Sequence, residues 1–231
     1  METLAKRIEK DGFAIVPGVL PIDEVEILIE AVHRVPKSSA HKRGGIRNLL
    51  NQMIEVRLLA NSEPVLKLVK AVLGPNAFVV NGILFDKTPQ ANWKVPWHQD
   101  VTIALQNRME IRGWGPWSLK DGVHNVQPSV ELMKNMLAVR IHLDDCDETN
   151  GPLRVVPGSH RSGRLTEQQI ESKCKAVPGV PCLVDRGGAL LMRPLLLHAS
   201  SAAQSPGHRR VIHLEFAAST LPSGLRWFSE S

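Results

Sequence analysis

The chemistry this sequence could carry gathers at Trp97-His98-Gln99-Asp100, at His198 a hundred positions later, and at Arg209. Residues two apart on an extended strand project to the same face, so His98 and Asp100 can present an imidazole nitrogen and a carboxylate oxygen side by side. A second histidine completes a set of two imidazoles and one carboxylate, which holds iron(II) on one side and leaves its other positions open to substrates. The triplet is weak by itself, because His142-Leu143-Asp144 repeats it. Context separates the two. His98 follows the apolar Val95-Pro96-Trp97, whereas Asp144 opens a polar run to Asn150-Gly151 that reads as a strand end and a turn with solvated carboxylates. His142 is therefore read as a structural or pocket-lining residue. His198 closes the apolar Leu195-Leu196-Leu197, and Arg209 starts the next strand candidate after a small polar loop. Arginine grips a carboxylate through two parallel hydrogen bonds, so the order histidine, carboxylate, histidine, arginine points to a metal with a carboxylate-bearing cosubstrate beside it.

Several elements must position these residues. The first 35 residues read as a short helix, a strand at Phe13-Ala14-Ile15-Val16 ended by Pro17-Gly18, and an amphipathic helix whose apolar face is Ile22, Val25, Leu28, Ile29 and Val32. Asp23 and Glu24 suit its first turn. Residues 36–48 read as a mobile loop, followed by helical patterns at Leu49 to Asn61 and Pro64 to Leu73, with Pro64 in a first turn and Gly74 as a C-terminal cap. From residue 77 the period is two. Strand candidates are Ala77 to Phe85, Met136 to Leu143, Leu153 to Val156, Cys182 to Val184, Ala189 to Met192, Leu195 to Ala199 and Arg209 to Ala217. Helices followed by a train of short strands predict a β sandwich or barrel with helices packed on one sheet. Gln106 to Asn135 reads as a long irregular segment, a length that inside a compact domain usually marks a lid over a site.

Composition limits the alternatives. A chain of 231 residues, 43% hydrophobic and 22% charged, fits one globular domain. No apolar run approaches the roughly 20 residues that a spanning helix needs, and the charged stretch Met1 to Lys10 stands where a secretory leader would be apolar. The expectation is a cytoplasmic chain with Cys146, Cys174 and Cys182 as reduced thiols. The net charge of +5 and a pI near 9.3 raise the question of a polyanionic partner. The one dense basic cluster, His41-Lys42-Arg43 with Arg47 nearby, is short and lacks interleaved aromatics. Neither a nucleic acid nor a membrane is expected as a partner, and an anionic cosubstrate and substrate account for the surplus equally well. Oligomeric state is not legible.

Asp11-Gly12-Phe13, Trp97-His98-Gln99-Asp100, Leu143-Asp144-Asp145, Asn150-Gly151-Pro152-Leu153, Pro157-Gly158-Ser159-His160, His198 and Arg209-Arg210 follow one another in an order that resembles the phytanoyl-CoA dioxygenase family of iron(II)- and 2-oxoglutarate-dependent oxygenases. The resemblance spans nearly the whole chain and is specific for the family, not for any member. It implies a mainly β fold with N-terminal helices and a double-stranded β-helix (jelly-roll, cupin-like) core. A single domain over 1–231 would then divide into a helical part at about 1–75, a core at about 76–220 and a lid at about 106–135. It implies that His98, Asp100 and His198 bind Fe(II), and that Arg209 holds the distal carboxylate of 2-oxoglutarate. Ser200 falls near that cosubstrate, while Gln99 and Arg140, and more weakly Arg47, are candidates for pocket contacts. His160 is better read as structural than as a ligand. Strand alternation groups Arg210 with the apolar Ile212, Leu214 and Phe216, which by itself favours Arg210 as the inward residue. If helices cover the outer face of that sheet, Arg209, Val211 and His213 face the pocket instead.

The implied reaction couples oxidative decarboxylation of 2-oxoglutarate by O2, giving succinate and CO2, to hydroxylation of an aliphatic C–H bond of a small molecule. Trp114, Trp117 and His124 are candidates for substrate contact, with packing of a lid against its own domain as the alternative. Related halogenases lack the metal-binding carboxylate, so the presence of Asp100 favours hydroxylation. A metal-binding or sensory jelly roll without turnover is the principal rival. A zinc hydrolase shares the donor set but has no use for Arg209, and only net charge recommends a nucleic-acid-binding domain.

Overall fold

The computed structural model describes residues 2–35, 45–222 and 224–229; the basic cluster His41-Lys42-Arg43 and most of the loop expected at 36–48 lie outside them. The chain begins with α1 (Leu4–Asp11), capped by the Thr3 hydroxyl and ended at Gly12, whose φ of 83° closes the turn. Strand β1 (Phe13–Val16) and helix α2 (Ile22–His33) follow as expected from the apolar spacing. The next helical stretch is split into α3 (Leu49–Gln52) and α4 (Ile54–Ala60), because Met53 is extended between them. Pro64 and Gly74 punctuate α5 (Glu63–Leu73), where the Gly74 N–H returns to the Lys70 carbonyl.

The remainder runs through β2 (Phe78–Lys87), β3 (Val95–His98), β4 (Ile103–Leu105), β5 (Trp117–Lys120), β6 (Val123–Val126), α6 (Val130–Lys134), β7 (Met136–His142), β8 (Leu153–Val155), α7 (Glu167–Ala176), β9 (Val180–Cys182), β10 (Ala189–Met192), β11 (His198–Ser200) and β12 (Arg209–Ala217). A five-stranded antiparallel sheet has the order β1-β10-β7-β12-β2. A four-stranded sheet, β3-β11-β8-β9, forms the other wall of a jelly roll, and β4-β6-β5 make a third, smaller sheet.

Helices cover the outer face of the five-stranded sheet. Ile8, Val25, Leu28, Val56, Leu59, Val65 and Val69 pack there against Leu137, Val139, Ile141, Leu191, Ile212, Leu214 and Phe216. This packing decides the direction of β12. Its apolar set lies under the helices, so Arg209, His213 and Glu215 line the interior between the sheets. Arg210 belongs to the outer face, where its guanidinium makes a two-pronged bond to Asp144 (2.9 Å from Nε, 2.6 Å from Nη2) that keeps it protonated. Asp144 is thus an ion-pair partner rather than a solvated turn carboxylate.

The segment from Gln106 to Asn135 differs from the irregular loop that its composition suggests. It contains the β5–β6 hairpin and α6. The expected strands at Cys182 to Val184 and Leu195 to Ala199 are displaced to β9 and β11, since Pro194 to Leu197 form a turn in which Leu196 N–H bonds to the Arg193 carbonyl. Helix α7 is polar and buries no side chain among its described residues; its sequence signal is the Thr166-x-x-Gln169 capping box rather than an apolar face. Among the described residues no helix is long and apolar enough to cross a membrane.

Leu214 is fully buried between β12 and the helical layer, whereas Leu119 on β5 is exposed. Leu214→Ala is expected to cost about 2–5 kcal/mol of unfolding free energy and Leu119→Ala within about 0.5 kcal/mol of nothing, as read by urea denaturation; equal costs would contradict this orientation of β12.

Candidate active site

Strands β3 and β11 pair antiparallel with His98 directly opposite His198. The two rings lie 4.1 Å apart, centroid to centroid. Each Nδ1 sits 2.9 Å (His98, to Pro96) or 2.8 Å (His198, to Leu196) from the carbonyl two residues back on its own chain. A carbonyl oxygen only accepts, so both Nδ1 atoms carry a proton, and the Nε2 atoms are the ring nitrogens that point toward Asp100. Asp100 Oδ1 is 3.8 Å from His98 Nε2, and Oδ2 is 3.6 Å from His198 Nε2. The three donors lie within 4.8 Å of one another, a separation one ion can bridge. Burial lowers the His198 pKa to about 4 against the opposing pull of Asp100, so this imidazole is neutral and ready to ligate. At Asp100 burial works to raise the carboxyl pKa and nearby positive charge, the permanent charge of the Arg140 guanidinium included, works against it, with a net shift downward.

The backbone holds this trio from both sides. Asp100 N–H bonds to the Pro194 carbonyl at 2.9 Å, and Leu197 N–H to the Ser159 hydroxyl at 2.8 Å, which gives the Pro-Gly-Ser-His piece a structural purpose beside β11. Gln99 is among the residues lining the cavity, and its amide is engaged on the protein: the nitrogen donates to the Gly163 and Leu195 carbonyls and the oxygen accepts from Leu165 N–H, so the side chain braces the loops behind the ligands. His160 donates through Nε2 to the Glu9 carbonyl, tying its turn to α1. His142 is buried with its pKa well below the ordinary value, through burial and the neighbouring Arg140 and Arg209, and it stands outside the metal-capable group.

Arg209 lines the same cavity from the five-stranded sheet, 4% exposed. Nη1 donates to the Gly151 carbonyl, while Nε is buried without a partner. Gly151 is required at that point: its φ is 72°, and a Cβ would stand 2.5 Å from the Ser201 carbonyl oxygen and 2.9 Å from Lys87 Nζ. Lys87, fully buried and opposite Arg209 in the β2–β12 register, donates to Ser200 Oγ at 3.3 Å and to the Ser201 carbonyl. Arg140 is also buried; Nη1 donates to His213 Nδ1 at 2.9 Å, its guanidinium lies 5.2 Å from the Phe85 ring centroid, and burial together with Arg209 lowers its pKa to about 10. Neither arginine has a carboxylate in ion-pair range among the described residues. Two buried cations with orphaned Nε groups suit a carboxylate-bearing ligand reaching from the metal donors toward Arg209.

Arg47 lines the cavity mouth and pairs with Asp121 at 3.3 Å. Trp114, Trp117 and His124 do not line the cavity. Trp114 and Trp117 pack against the cluster around Val126, Met133 and Trp227, and the edge of His124 rests on Trp117. Pairing of β5 with β6 puts Lys120 and Asn125 on the opposite face, and these are the segment's cavity residues. Sequence reasoning also missed Lys87, Asn81 and Glu215. All three could have been found by continuing the inward alternation of Arg209 and His213 along β12 and across to β2.

A jelly roll carrying two imidazoles, one carboxylate and a buried arginine on facing walls defines a site that one metal ion can occupy. The chain belongs to the phytanoyl-CoA dioxygenase (PhyH) family, whose pattern it matches over residues 8–211. It is 25% identical over 171 residues to the peroxisomal phytanoyl-CoA dioxygenase of Mus musculus, an alignment covering 67% of this chain and 44% of the mouse protein. The crystal structure of AviO1 from Streptomyces viridochromogenes superposes with a TM-score of 0.70 at 24% identity, covering 96% of this chain and 99% of the other. That of EctD from S. alaskensis with 2-oxoglutarate and 5-hydroxyectoine gives a TM-score of 0.71 at 20% identity over 93% of this chain and 74% of the other. The chain thus spans less than half the length of the mouse relative.

Burial and the nearby Arg209 lower the Lys87 pKa from 10.5 to about 8. The unfolded chain then binds more protons than the folded one between those values, so this residue's contribution to stability rises with pH across that window and is unfavourable below it. In denaturant titrations of the metal-free protein, wild type should gain on Lys87→Met as pH climbs from about 8 to about 10.5; a constant difference would show that the ammonium is not desolvated.

Proposed function

We propose that this protein is an iron(II)- and 2-oxoglutarate-dependent dioxygenase that hydroxylates an aliphatic C–H bond of a small molecule, releasing succinate and CO2. The observation that carries this is the register of His98 against His198, which turns both Nε2 atoms toward Asp100 in the cavity that Arg209 also lines. His98, Asp100 and His198 are assigned as the iron ligands, Arg209 as the anchor of the distal carboxylate of 2-oxoglutarate, and Ser200 as a hydroxyl beside it. Bound iron with 2-oxoglutarate supplies the oxidising chemistry that activates O2. The protein's part is orientation and exclusion. Lys87 holds Ser200 and the Ser201 carbonyl in place at the anchor end, Gly151 fixes the Arg209 guanidinium, and Arg140 sets the proton of His213 on Nε2 by donating to Nδ1. The structurally similar EctD, crystallised with 2-oxoglutarate and 5-hydroxyectoine, supports the same reading for a related fold.

A metal-binding protein without turnover would share the ligands but release no succinate. The deciding measurement is oxygen-dependent conversion of 2-oxoglutarate to succinate with iron(II). His98→Ala is expected to abolish it, and Arg209→Ala to raise the KM for 2-oxoglutarate at least about tenfold through loss of charge-assisted hydrogen bonds. Turnover indifferent to both substitutions rules the assignment out.

A further inference from the structure

The cavity has two ends, and the anchor end uses only one of them. Along β12 and its partner β2 the inward rungs run Arg209 opposite Lys87, Val211 opposite Phe85, His213 opposite Ile83 and Glu215 beside Asn81. Arg209 and Glu215 are separated by roughly 20 Å of backbone at about 3.4 Å per residue, with the metal donors facing the rungs between them. At the far end Glu215 is a carboxylate turned inward. Asn81 Nδ2 donates to its Oε2 at 3.2 Å, and His213 Nε2 lies 3.4 Å from its Oε1. Because Arg140 donates to His213 Nδ1, the His213 proton is on Nε2, toward Glu215. The chain from Arg140 through His213 fixes that carboxylate in place. It still leaves lone pairs on Glu215 unused, since a carboxylate can accept about four hydrogen bonds.

Facing it is Lys120 on β5, also a cavity residue and half-buried. Its Nζ donates to Thr102 Oγ1 at 3.2 Å and meets no carboxylate in ion-pair range among the described residues. Burial and Arg47 lower its pKa, while the charges of Asp100 and Glu215 oppose the shift, so cation and carboxylate act on each other across this part of the cavity. Thr102 and Glu215 also border a recess that reaches Asp100 and His213. The far end therefore adjoins the metal donors.

We propose that this far end is the subsite of the primary substrate and that the substrate is a small zwitterion, its cationic nitrogen held by Glu215 and its anionic group by Lys120. The inference rests on the assignment of the Arg209 end to 2-oxoglutarate. The physical reason is charge pairing. A neutral ligand filling the space would strip water from an ammonium and a carboxylate without replacing it, a cost that only compensating partners remove. A pure anion meets Glu215, and a pure cation meets Lys120 and Arg47. A ligand carrying both charges satisfies both walls. Size points the same way: the cavity is about 330 Å³, near the lower end of the roughly 300–1,000 Å³ usual for small-molecule sites, and it must also admit the cosubstrate. Asn125 supplies a neutral polar contact, and Ile83, Val101 and Ala104 a short apolar stretch for the aliphatic body.

The test uses nickel(II)-loaded protein, which is inert to oxygen, and isothermal titration. 2-Oxoglutarate is titrated first; its failure to bind overturns the anchor assignment alone. Proline, glycine betaine and 4-aminobutyrate are then titrated with and without 2-oxoglutarate, against butylamine, butyrate and butanol as singly charged and neutral counterparts. At least one zwitterion is expected to bind about tenfold or more tightly than all three counterparts, and to lose about tenfold in both Glu215→Gln and Lys120→Met, while 2-oxoglutarate affinity is unchanged in the variants and so reports an intact fold. Preference for a singly charged or neutral ligand, no binding by any zwitterion, or zwitterion binding indifferent to both substitutions overturns the proposal.

Discussion

The structure depends on one cross-strand pair. With His98 opposite His198, each ring is held by its own backbone carbonyl two residues earlier, and both remaining nitrogens converge on Asp100. A slip of one residue in the β3–β11 register would send one ring to the outer surface and dissolve the donor set. Much of the surrounding structure guards against that slip: Asp100 is tied to Pro194, Leu197 to Ser159, and the Gln99 amide to three backbone groups across two loops.

The second constraint is the sorting of charge by the five-stranded sheet. Alternation on β12 sends two adjacent arginines to opposite destinies. Arg210 meets Asp144 on the helix-covered side and is electrically complete. Arg209 goes inward with Lys87 and Arg140, and no carboxylate lies in ion-pair range of the three among the described residues. Keeping three cations together away from water is costly unless a ligand supplies the counter-charge, so the fold holds in reserve an attraction that a dianion can satisfy.

What can be read from the sequence follows from how strongly each segment is patterned. The N-terminal helices and β12 are legible because their apolar residues recur at a clear period against a single covered face. The metal trio is legible because His98, Asp100, His198 and Arg209 combine residue types seldom spaced that way by accident. Strands β3 to β6 are not, since three or four residues carry too little alternation, and β5 and β6 follow an irregular stretch. Trp114 and Trp117 suggest substrate contact by their aromaticity; they instead pack beside Trp227, a partner from the far end of the chain that no local pattern announces. Alternation on β12 alone favours Arg210, and it is the resemblance to the family together with the face that the helices cover that selects Arg209.

The hundred residues between His98 and His198 also bear on how the molecule is assembled. The donors come from strands with no short connection, and most of the sheet must be in place before they meet. Closure over such a separation is slow and entropically unfavourable until other contacts support it. An ion that needs all three donors therefore recognises only the completed barrel, and its binding energy adds to the stability of the native state alone. Metal bound to these three donors thus shifts the equilibrium toward the folded chain.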